Sequence, residues 1–417
     1  MRFVLVSTHV DQTTGYAKVA YNLLRQVASL APKVKTFHFG FQRHPDRKNV
    51  RKLPDGVVGY DAASNEDPRE EGFGFNKIAE YVDMVRPDVV MIYNDPLIIC
   101  KFIEAMKYDK STATFKLWLY VDQVYQGIAQ PLVDTMNKNA DRIYCFTQSW
   151  ADTYASYSPG TAPPSVIEHG IDATEFTCMP RDQRLALRRN LKIPTDAVVF
   201  LNANRNSQRK RLDTMIMGFV KLLTFTEDPV YLMVVTAMNP QHGAFYDLQR
   251  IYITELKRAG LVPEALANRL MIVDTAPPNT LSDAQINELY NMTDIGINTS
   301  DGEGFGLCQL EHLYTGAPQV VTDVGSYRSF LTEDVAAFIP PSGTQYFAGS
   351  MPLGFSAPTF DPDEVALKMD EMVKALDTRK AAIRTFPFKS WTRICDGWLE
   401  DLHTASYVGL PSNTQRI

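Results

Sequence analysis

Two glutamates, Glu303 and Glu311, stand eight residues apart in the second half of the sequence and could accept hydrogen bonds from a bound ligand. Three glycines, at positions 302, 304 and 306, surround the first of them. Glycines leave room for backbone amides to approach a ligand closely. Because two carboxylates repel a phosphate, the pair is better explained by a ligand that also carries hydroxyl groups.

The elements around the glutamates indicate how they are positioned. The apolar run at residues 294–298 is typical of a buried strand, and residues 307–314 have the pattern of a helix. The glycine-rich turn then leads into the N-terminus of that helix, where unpaired amides and the helix dipole favour a phosphate. Phosphates and hydroxyl groups together are the chemistry of a nucleotide sugar.

A second chemical signal is the basic segment 202–211, which follows a predicted strand and opens a predicted helix. A solvated helix start is a poor explanation, since cations there stand at the unfavourable end of the helix dipole. A nucleic-acid patch is another interpretation, but the chain has a net charge of −6 and the segment occurs once.

The composition is that of a globular protein, with 417 residues, 45% hydrophobic and 22% charged. This length predicts two domains with sizeable cores. Five cysteines are scattered singly at positions 100, 145, 178, 308 and 395, which favours reduced thiols and a cytoplasmic location. Every apolar stretch is shorter than the roughly 18 residues that span a membrane, so neither a transmembrane segment nor a signal peptide is expected.

Short apolar runs alternate with helical patterns, which predicts a parallel α/β architecture. A change of composition between residues 178 and 194 indicates a domain boundary, and the tail after residue 388 has apolar residues at helical spacing. Residues 42–75 are predicted to be an exposed loop. Strands are predicted at residues 3–6, 35–39, 89–93, 117–121, 142–146, 165–168, 197–203, 230–235, 270–274, 294–298, 319–322 and 335–339, and helices at 16–29, 76–85 and 131–139.

The segment SDGEGFGLCQLEHLYTGAPQVVTDVGS resembles the donor-binding signature, E-x7-E, of retaining glycosyltransferases of family 4. The resemblance implies the GT-B fold, an α/β fold with two Rossmann-like doubly wound domains facing a central cleft and a C-terminal helix that crosses back to the first domain. It implies an N-terminal acceptor-binding domain at residues 1–180, a C-terminal nucleotide-sugar donor-binding domain at 181–387, and the returning helix at 388–417.

The resemblance also implies roles for individual residues. Glu303 would contact hydroxyl groups of the transferred sugar, and Glu311 would contact the nucleotide ribose. Backbone amides of the turn would hold the diphosphate, while two cations would neutralise the charge that develops as the nucleoside diphosphate leaves. The expected donor-binding residues are Gly15, Arg205, Lys210, Glu303, Phe305, Gly306, Leu307 and Glu311.

In the first domain, Gly15 lies between the first strand and the first helix and resembles the family's glycine loop, which faces the donor and the acceptor. Family members often carry a histidine after a mid-domain strand, where it contacts the donor sugar. The corresponding stretch here, LWLYVDQVYQG, has no histidine, and Asp122 is the polar residue nearest that place. Asp122 is therefore expected to be catalytic together with Glu303, Arg205 and Lys210, and whether it replaces the histidine stays open.

Three other patterns have structural explanations. His169 lies in VIEHGIDATEF, which resembles the family's segment between the domains, and is interpreted as a hinge element. Asp361-Pro362-Asp363 matches a metal-binding DxD pattern, but it precedes a helical run and is better explained as a helix cap. The GxGxxG spacing of dinucleotide-binding enzymes is absent. No cofactor and no catalytic metal are expected.

The sequence thus predicts a cytoplasmic, metal-independent retaining glycosyltransferase that moves a sugar from a UDP- or GDP-sugar to a glycan or other hydroxyl acceptor. The expected partners are the nucleotide sugar and the acceptor, with no nucleic acid. In the mechanism that the resemblance implies, the departing phosphate helps deprotonate the incoming hydroxyl on the same face of the sugar. The alternatives are a non-catalytic nucleotide-sugar-binding protein and another GT-B enzyme, such as an inverting transferase or an epimerase.

Overall fold

The structure is a computed structural model that describes residues 1–48, 51–347, 349 and 351–407. The chain forms two compact units. Of these described residues, unit 1 comprises 1–48, 51–123, 127–170 and 389–407, and unit 2 comprises 124–126 and the described part of 171–388. The predicted roles of the two halves, acceptor binding and donor binding, stay predictions.

The helices and strands alternate along most of the described chain. The strands are β1 (Arg2–Thr8), β2 (Lys35–Phe41), β3 (Val57–Asp61), β4 (Val89–Asn94), β5 (Lys116–Val121), β6 (Arg142–Cys145), β7 (Ser165–Val166), β8 (Val198–Asn202), β9 (Val230–Thr236), β10 (Leu270–Asp274), β11 (Ile295–Asn298), β12 (Gln319–Thr322), β13 (Ala336–Ile339), β14 (Gly343–Tyr346) and β15 (Ser356–Thr359). The α-helices are α1 (Gly15–Leu30), α2 (Ile78–Val85), α3 (Pro96–Ala105), α4 (Gln130–Asn139), α5 (Gln148–Ser156), α6 (Arg181–Asn190), α7 (Leu212–Leu223), α8 (Leu248–Arg258), α9 (Pro263–Leu266), α10 (Asp283–Met292), α11 (Leu307–Tyr314), α12 (Pro362–Lys374), α13 (Leu376–Ile383) and α14 (Trp391–Tyr407). Short 3-10 helices lie at Pro45–Arg47, Pro68–Glu70, Phe75–Lys77, Gln208–Lys210, Pro240–His242, Ala267–Arg269 and Tyr327–Ser329.

Unit 1 is built on a parallel sheet whose described strands run in the order β3-β2-β1-β4-β5-β6-β7. All residues of β4 are buried, and so are those of β5 after its first residue. Strands covered on both faces have continuous apolar sequences, which is why these strands can be recognised from sequence. The strands and helices predicted in this half are confirmed, with ends within about two residues of those predicted.

The prediction of an exposed loop at residues 42–75 is wrong in part. The chain returns there to the sheet as β3, which pairs in parallel with β2. Ala62 and Phe73 of the same segment belong to the hydrophobic core of unit 1. Because β3 is an edge strand with half-buried and exposed residues, its sequence lacks the apolar run of a central strand.

The C-terminal helix α14 belongs to unit 1, where it packs against α1. Trp391, Trp398 and Leu402 are buried, and the ring centroid of Trp398 lies 5.9 Å from that of Phe3. The helical spacing of apolar residues in the tail therefore marks a packed helix. The end of the predicted segment, residues 408–417, lies outside the described residues.

Unit 2 contains a second parallel sheet, with described strands in the order β10-β9-β8-β11-β12-β13. Its largest core cluster joins these strands to α7, α8 and α12. All of the strands predicted for this half are confirmed. The antiparallel hairpin of β14 and β15 was not predicted, because most residues of β14 are exposed and give no apolar signal.

Candidate functional site

The loops that follow β8 and β11 carry most of the predicted chemistry of unit 2. These two strands pair side by side in parallel, with Ile295 opposite Phe200, so that both loops leave the same edge of the sheet. The carboxyl edge of a doubly wound sheet is where such folds bind ligands. Lys210 comes from the first loop and Glu303 from the second.

Lys210 and Glu303 form a buried ion pair in which Lys210 Nζ donates to Glu303 Oε1. Arg209 Nη1 lies 3.3 Å from the other carboxylate oxygen of Glu303, Oε2. The same Arg209 nitrogen donates to the carbonyl of Gly302. Glu303, which is 6% exposed, is therefore held between two cations.

The two charges of this pair coexist at neutral pH. Burial by itself would raise the pKa of Glu303, but the charges of Lys210 and Arg209 outweigh burial and lower the pKa to about 2. Burial lowers the pKa of Lys210 to about 8, against the opposing attraction of Glu303. Between these values both groups are ionised, and a carboxylate of such low basicity is a poor general base.

Neutral polar side chains complete the surroundings of Glu303. Ser300 Oγ donates to Glu303 Oε1 at 2.9 Å, and Asn298 Nδ2 donates to the same oxygen at 3.2 Å. Asn298 Nδ2 also donates to Gln309 Oε1, at 3.0 Å, and thereby links the strand end to α11. These bonds restrict the carboxylate to one orientation, as a binding group requires.

The turn before α11 has a conformation that requires glycine. Gly306 is the N-cap residue of α11 and has a φ of 101°, and a Cβ there would collide with the ring of Tyr327. Phe305 is buried and stacks on Phe330, with ring centroids 4.7 Å apart. The helix starts at Leu307, and the amides of its first turn form a positive end that favours phosphate.

Glu311 lies on α11 and is buried. Its Oε2 atom accepts a hydrogen bond from the hydroxyl of Tyr290, at 3.2 Å. Glu311 is thus fixed on the helix that Gly306 begins. Its predicted contact with a ribose stays a prediction.

The two predicted cations differ in their surroundings. Lys210 is buried against Glu303, whereas Arg205 is exposed in the loop after β8. Arg209, which is not one of the two predicted cations, supplies the second cation at Glu303. In the sequence, Arg209 is marked only by its place in the basic run. Which residue of that run faces Glu303 depends on the 3-10 turn Gln208–Lys210.

In unit 1, two predicted residues lie near the start of α1 and the end of β5. Gly15 is the first residue of α1, after the N-cap Thr14, and a Cβ on Gly15 would meet nothing within 4 Å. Packing within unit 1 therefore does not require glycine at this position. Asp122 follows β5, and its Oδ2 atom accepts a hydrogen bond from the hydroxyl of Tyr16, at 2.5 Å.

His169 is buried among aromatic rings in unit 1. Its ring centroid lies 4.5 Å from that of Phe146 and 5.7 Å from that of Trp391. Burial lowers the pKa of His169 to about 3, so that the ring is neutral at physiological pH. This packing supports the structural interpretation of His169.

The DxD pattern is a helix cap, as predicted. Asp361 is the N-cap of α12, and its Oδ1 atom accepts a hydrogen bond from the amide of Asp363, at 2.9 Å. Among the described residues, no cluster of three or more His, Cys, Asp or Glu side chains is placed to hold a metal ion. None of the helices in the described part of the chain combines the length and hydrophobicity needed to cross a membrane.

Solved structures share the fold of this chain over nearly its whole length. Sucrose-phosphate synthase from Thermosynechococcus elongatus matches with a TM-score of 0.71 and 15% identity, covering 98% of this chain and 100% of that one. HepE from Anabaena, in complex with UDP-glucose, matches with a TM-score of 0.67 and 15% identity, covering 97% and 100%. These structures confirm the predicted GT-B fold.

Curated relatives match part of the sequence. D-inositol 3-phosphate glycosyltransferase from Thermobifida fusca is 26% identical over 211 residues, which are 49% of this chain and 45% of the relative. The lipopolysaccharide core biosynthesis mannosyltransferase LpsB from Rhizobium meliloti is 28% identical over 170 residues, 41% of this chain and 43% of the relative. The matched segments thus span less than half of either relative, and no protein-family model matches the chain. Fold and relatives together confirm the predicted resemblance of this chain to GT-B glycosyltransferases of the family 4 type.

Proposed function

We propose that this protein is a metal-independent retaining glycosyltransferase that transfers a sugar from a UDP- or GDP-sugar to a hydroxyl group of a glycan or related acceptor. The observation that carries the proposal is the cluster of the buried Glu303 and Lys210 with the half-buried Arg209 in the loops after β8 and β11. A carboxylate for sugar hydroxyls and cations for a diphosphate are both required by a nucleotide sugar. The cytoplasmic location expected from the cysteines stays a prediction.

The diphosphate of the donor would bind to the cations and to the start of α11. An ammonium group has three donors, so Lys210 can hold Glu303 and a phosphate oxygen at the same time. The amides that begin at Leu307 add a helix N-terminus, which favours the same group. Arg205, exposed in the same loop, supplies a further positive charge for the diphosphate.

Glu303 would accept hydrogen bonds from hydroxyl groups of the transferred sugar. Its pKa of about 2 keeps it ionised, and both of its oxygens are close to cations. A carboxylate neutralised in this way is a weak base and a weak nucleophile, and its fixed orientation suits binding. This environment supports a role in orienting the sugar.

Retention of configuration needs no protein nucleophile in this scheme. The bond between the anomeric carbon and the phosphate oxygen breaks, and its electron pair goes to the departing diphosphate. The acceptor oxygen bonds to the anomeric carbon on the same face, and its proton moves to a diphosphate oxygen. Lys210, Arg209 and the start of α11 would stabilise the developing negative charge, an effect worth about 10²–10³ in rate for each such donor.

The names of similar proteins support a nucleotide-sugar donor. HepE has been crystallised with UDP-glucose. An α,α-trehalose-phosphate synthase from Burkholderia xenovorans is described as UDP-forming. Its structure matches with a TM-score of 0.66 and 13% identity, covering 97% of this chain and 100% of that one. LpsB is a mannosyltransferase. Glucose and mannose are therefore reasonable sugars for a first donor panel.

The purified protein should be incubated with UDP-glucose, UDP-galactose, UDP-N-acetylglucosamine and GDP-mannose, with and without sugar acceptors. Release of the nucleoside diphosphate reports turnover, and NMR of the product reports the anomeric configuration. We expect release with one donor and an α-linked product from the α-linked donor. Binding without release would contradict catalysis, and a β-linked product would contradict retention.

A further inference from the structure

A short segment of the chain reaches the loop that carries Glu303. Residues 124–126 belong to unit 2, although the residues on either side of them belong to unit 1. In this segment the hydroxyl of Tyr125 donates to Asp301 Oδ1, at 2.7 Å. Asp301 stands two residues before Glu303, at the start of the glycine-rich turn.

The ring of Tyr125 also packs directly on the turn. A Cβ on Gly302 would lie 2.5 Å from the carbonyl oxygen of Val124 and 2.6 Å from Cε1 of Tyr125. Such an approach is possible because Gly302 has no side chain. The backbone just before Glu303 is thus pressed against Tyr125, while Arg209 Nη1 donates to the carbonyl of Gly302.

Asp301 is held from two further directions. Its Oδ2 atom accepts a hydrogen bond from Gln345 Nε2, at 2.8 Å, and its amide donates to the carbonyl of Arg209, at 3.0 Å. Asp301 is 4% exposed, and burial raises the pKa of this carboxyl. A buried carboxylate needs its donors, so loss of one of them destabilises this arrangement of the turn.

Tyr125 is itself held in place by close packing contacts. A Cβ on Gly354 would lie 2.6 Å from the Cβ of Tyr125, and the ring of Phe347 meets the ring of Tyr125 edge-on, with centroids 4.7 Å apart. The amide of Phe355 donates to the carbonyl of Gln126, at 2.9 Å, which ties the segment to the β14–β15 hairpin. Tyr125 can therefore transmit a fixed position to the turn.

We propose that Tyr125 is a positioning residue for the transfer reaction, which holds Glu303 in place through its hydrogen bond to Asp301 and its packing on Gly302. This role depends on the proposed function, because Glu303 must contact the sugar for its position to matter. The diphosphate contacts proposed for the start of α11 follow Glu303 in the chain, whereas the Tyr125 hydroxyl acts on the residues before it. Loss of the Tyr125 hydroxyl should thus weaken recognition of the sugar more than recognition of the nucleotide.

The test is Tyr125→Phe, which keeps the ring and removes only the hydroxyl. Tyr144→Phe is the matched control, since the hydroxyl of the buried Tyr144 also donates to an aspartate, Asp401, at 2.9 Å. Both residues of this pair lie in unit 1, with Asp401 on α14. Binding of UDP, GDP, UDP-glucose and GDP-mannose is measured by calorimetry, and kcat and KM are measured with the active donor. Gln345→Ala, which removes the other side-chain donor to Asp301, is a second variant.

We expect Tyr125→Phe to weaken binding of the nucleotide sugar and to lower kcat, each by about tenfold, the usual effect of losing one hydrogen bond to a charged group. Binding of the nucleoside diphosphate should change by less than about twofold, Gln345→Ala should act in the same direction, and Tyr144→Phe should behave like the wild type. Equal weakening of nucleotide and nucleotide sugar, or wild-type behaviour of Tyr125→Phe, would overturn the positioning role. If the wild type bound none of the four compounds, the proposed function itself would be wrong.

Discussion

The ammonium group of Lys210 donates a hydrogen bond to the carboxylate of Glu303 in the interior of unit 2. Both partners lose their hydration, and a buried ion pair of this kind often contributes little net stability compared with a well-packed apolar pair. Its position at the carboxyl edge of the sheet, beside the start of α11, gives it a second use. In the proposed function the ion pair binds the nucleotide-sugar donor, because it presents a carboxylate to the sugar and a cation to the diphosphate.

The two arginines of the basic loop should have separable effects. Arg209 contacts Glu303 and the carbonyl of Gly302, whereas Arg205 is exposed. Arg209→Met should lower the free energy of unfolding by about 1–3 kcal/mol, because the buried Glu303 loses one of its charged partners. Arg205→Met should lower it by less than Arg209→Met does, because substitutions at exposed positions usually have small effects.

Urea unfolding of both variants measures this difference, and calorimetry with UDP and GDP shows whether both variants weaken binding of the diphosphate, as we expect. Equal destabilisation by the two substitutions would be incompatible with the assignment of Arg209, and not Arg205, as the second cation at Glu303.

Transfer should fail at alkaline pH because Lys210 loses its proton. Burial lowers its pKa in the folded protein to about 8, below the usual lysine value of 10.5, so the cation proposed to bind the diphosphate disappears as pH rises through about 8. A profile of kcat/KM between pH 6 and 10 should show this loss. Lys210→Arg, which stays charged, should keep whatever activity it has across the same range.

Unfolding would not explain the alkaline loss. Between pH 8 and 10.5 the unfolded chain keeps the Lys210 proton that the folded protein has released, so this group makes the folded state more stable as pH rises. The melting temperature should therefore not fall because of Lys210 in this window. An alkaline limb that coincides with a falling melting temperature, or that persists unchanged in Lys210→Arg, would contradict the assignment.

Those features that lie within one continuous segment could be predicted from the sequence. Glu303, Gly306 and Glu311 belong to one strand–turn–helix element, so their order along the chain defines their local placement. The buried strands can be recognised in the sequence as apolar runs. The prediction of Lys210 also relied on a resemblance, because its loop follows a different strand.

Other parts of the site depend on contacts that leave no local pattern. The 3-10 turn at Gln208–Lys210 decides that Arg209 is the arginine that reaches Glu303. Tyr125 and Asp301 meet across 176 residues of chain, and no spacing in the sequence predicts that contact. The edge strand β3 and the hairpin of β14 and β15 lack an apolar run for a related reason, since most of their residues are exposed or half-buried.

The central claim is that Glu303 orients the transferred sugar from within a cluster of cations. The most direct test is the rate of transfer by Glu303→Gln, a change that keeps the shape of the side chain and removes its charge. Glu333→Gln is the matched control, since Glu333 makes an exposed ion pair with Arg328, at 2.8 Å.

We expect Glu303→Gln to lower kcat by about 10² or more, the scale of losing one group that stabilises or orients the reacting atoms, while the protein remains folded by circular dichroism. Glu333→Gln should transfer sugar at the wild-type rate. Turnover by Glu303→Gln at the rate of the wild type would contradict the account.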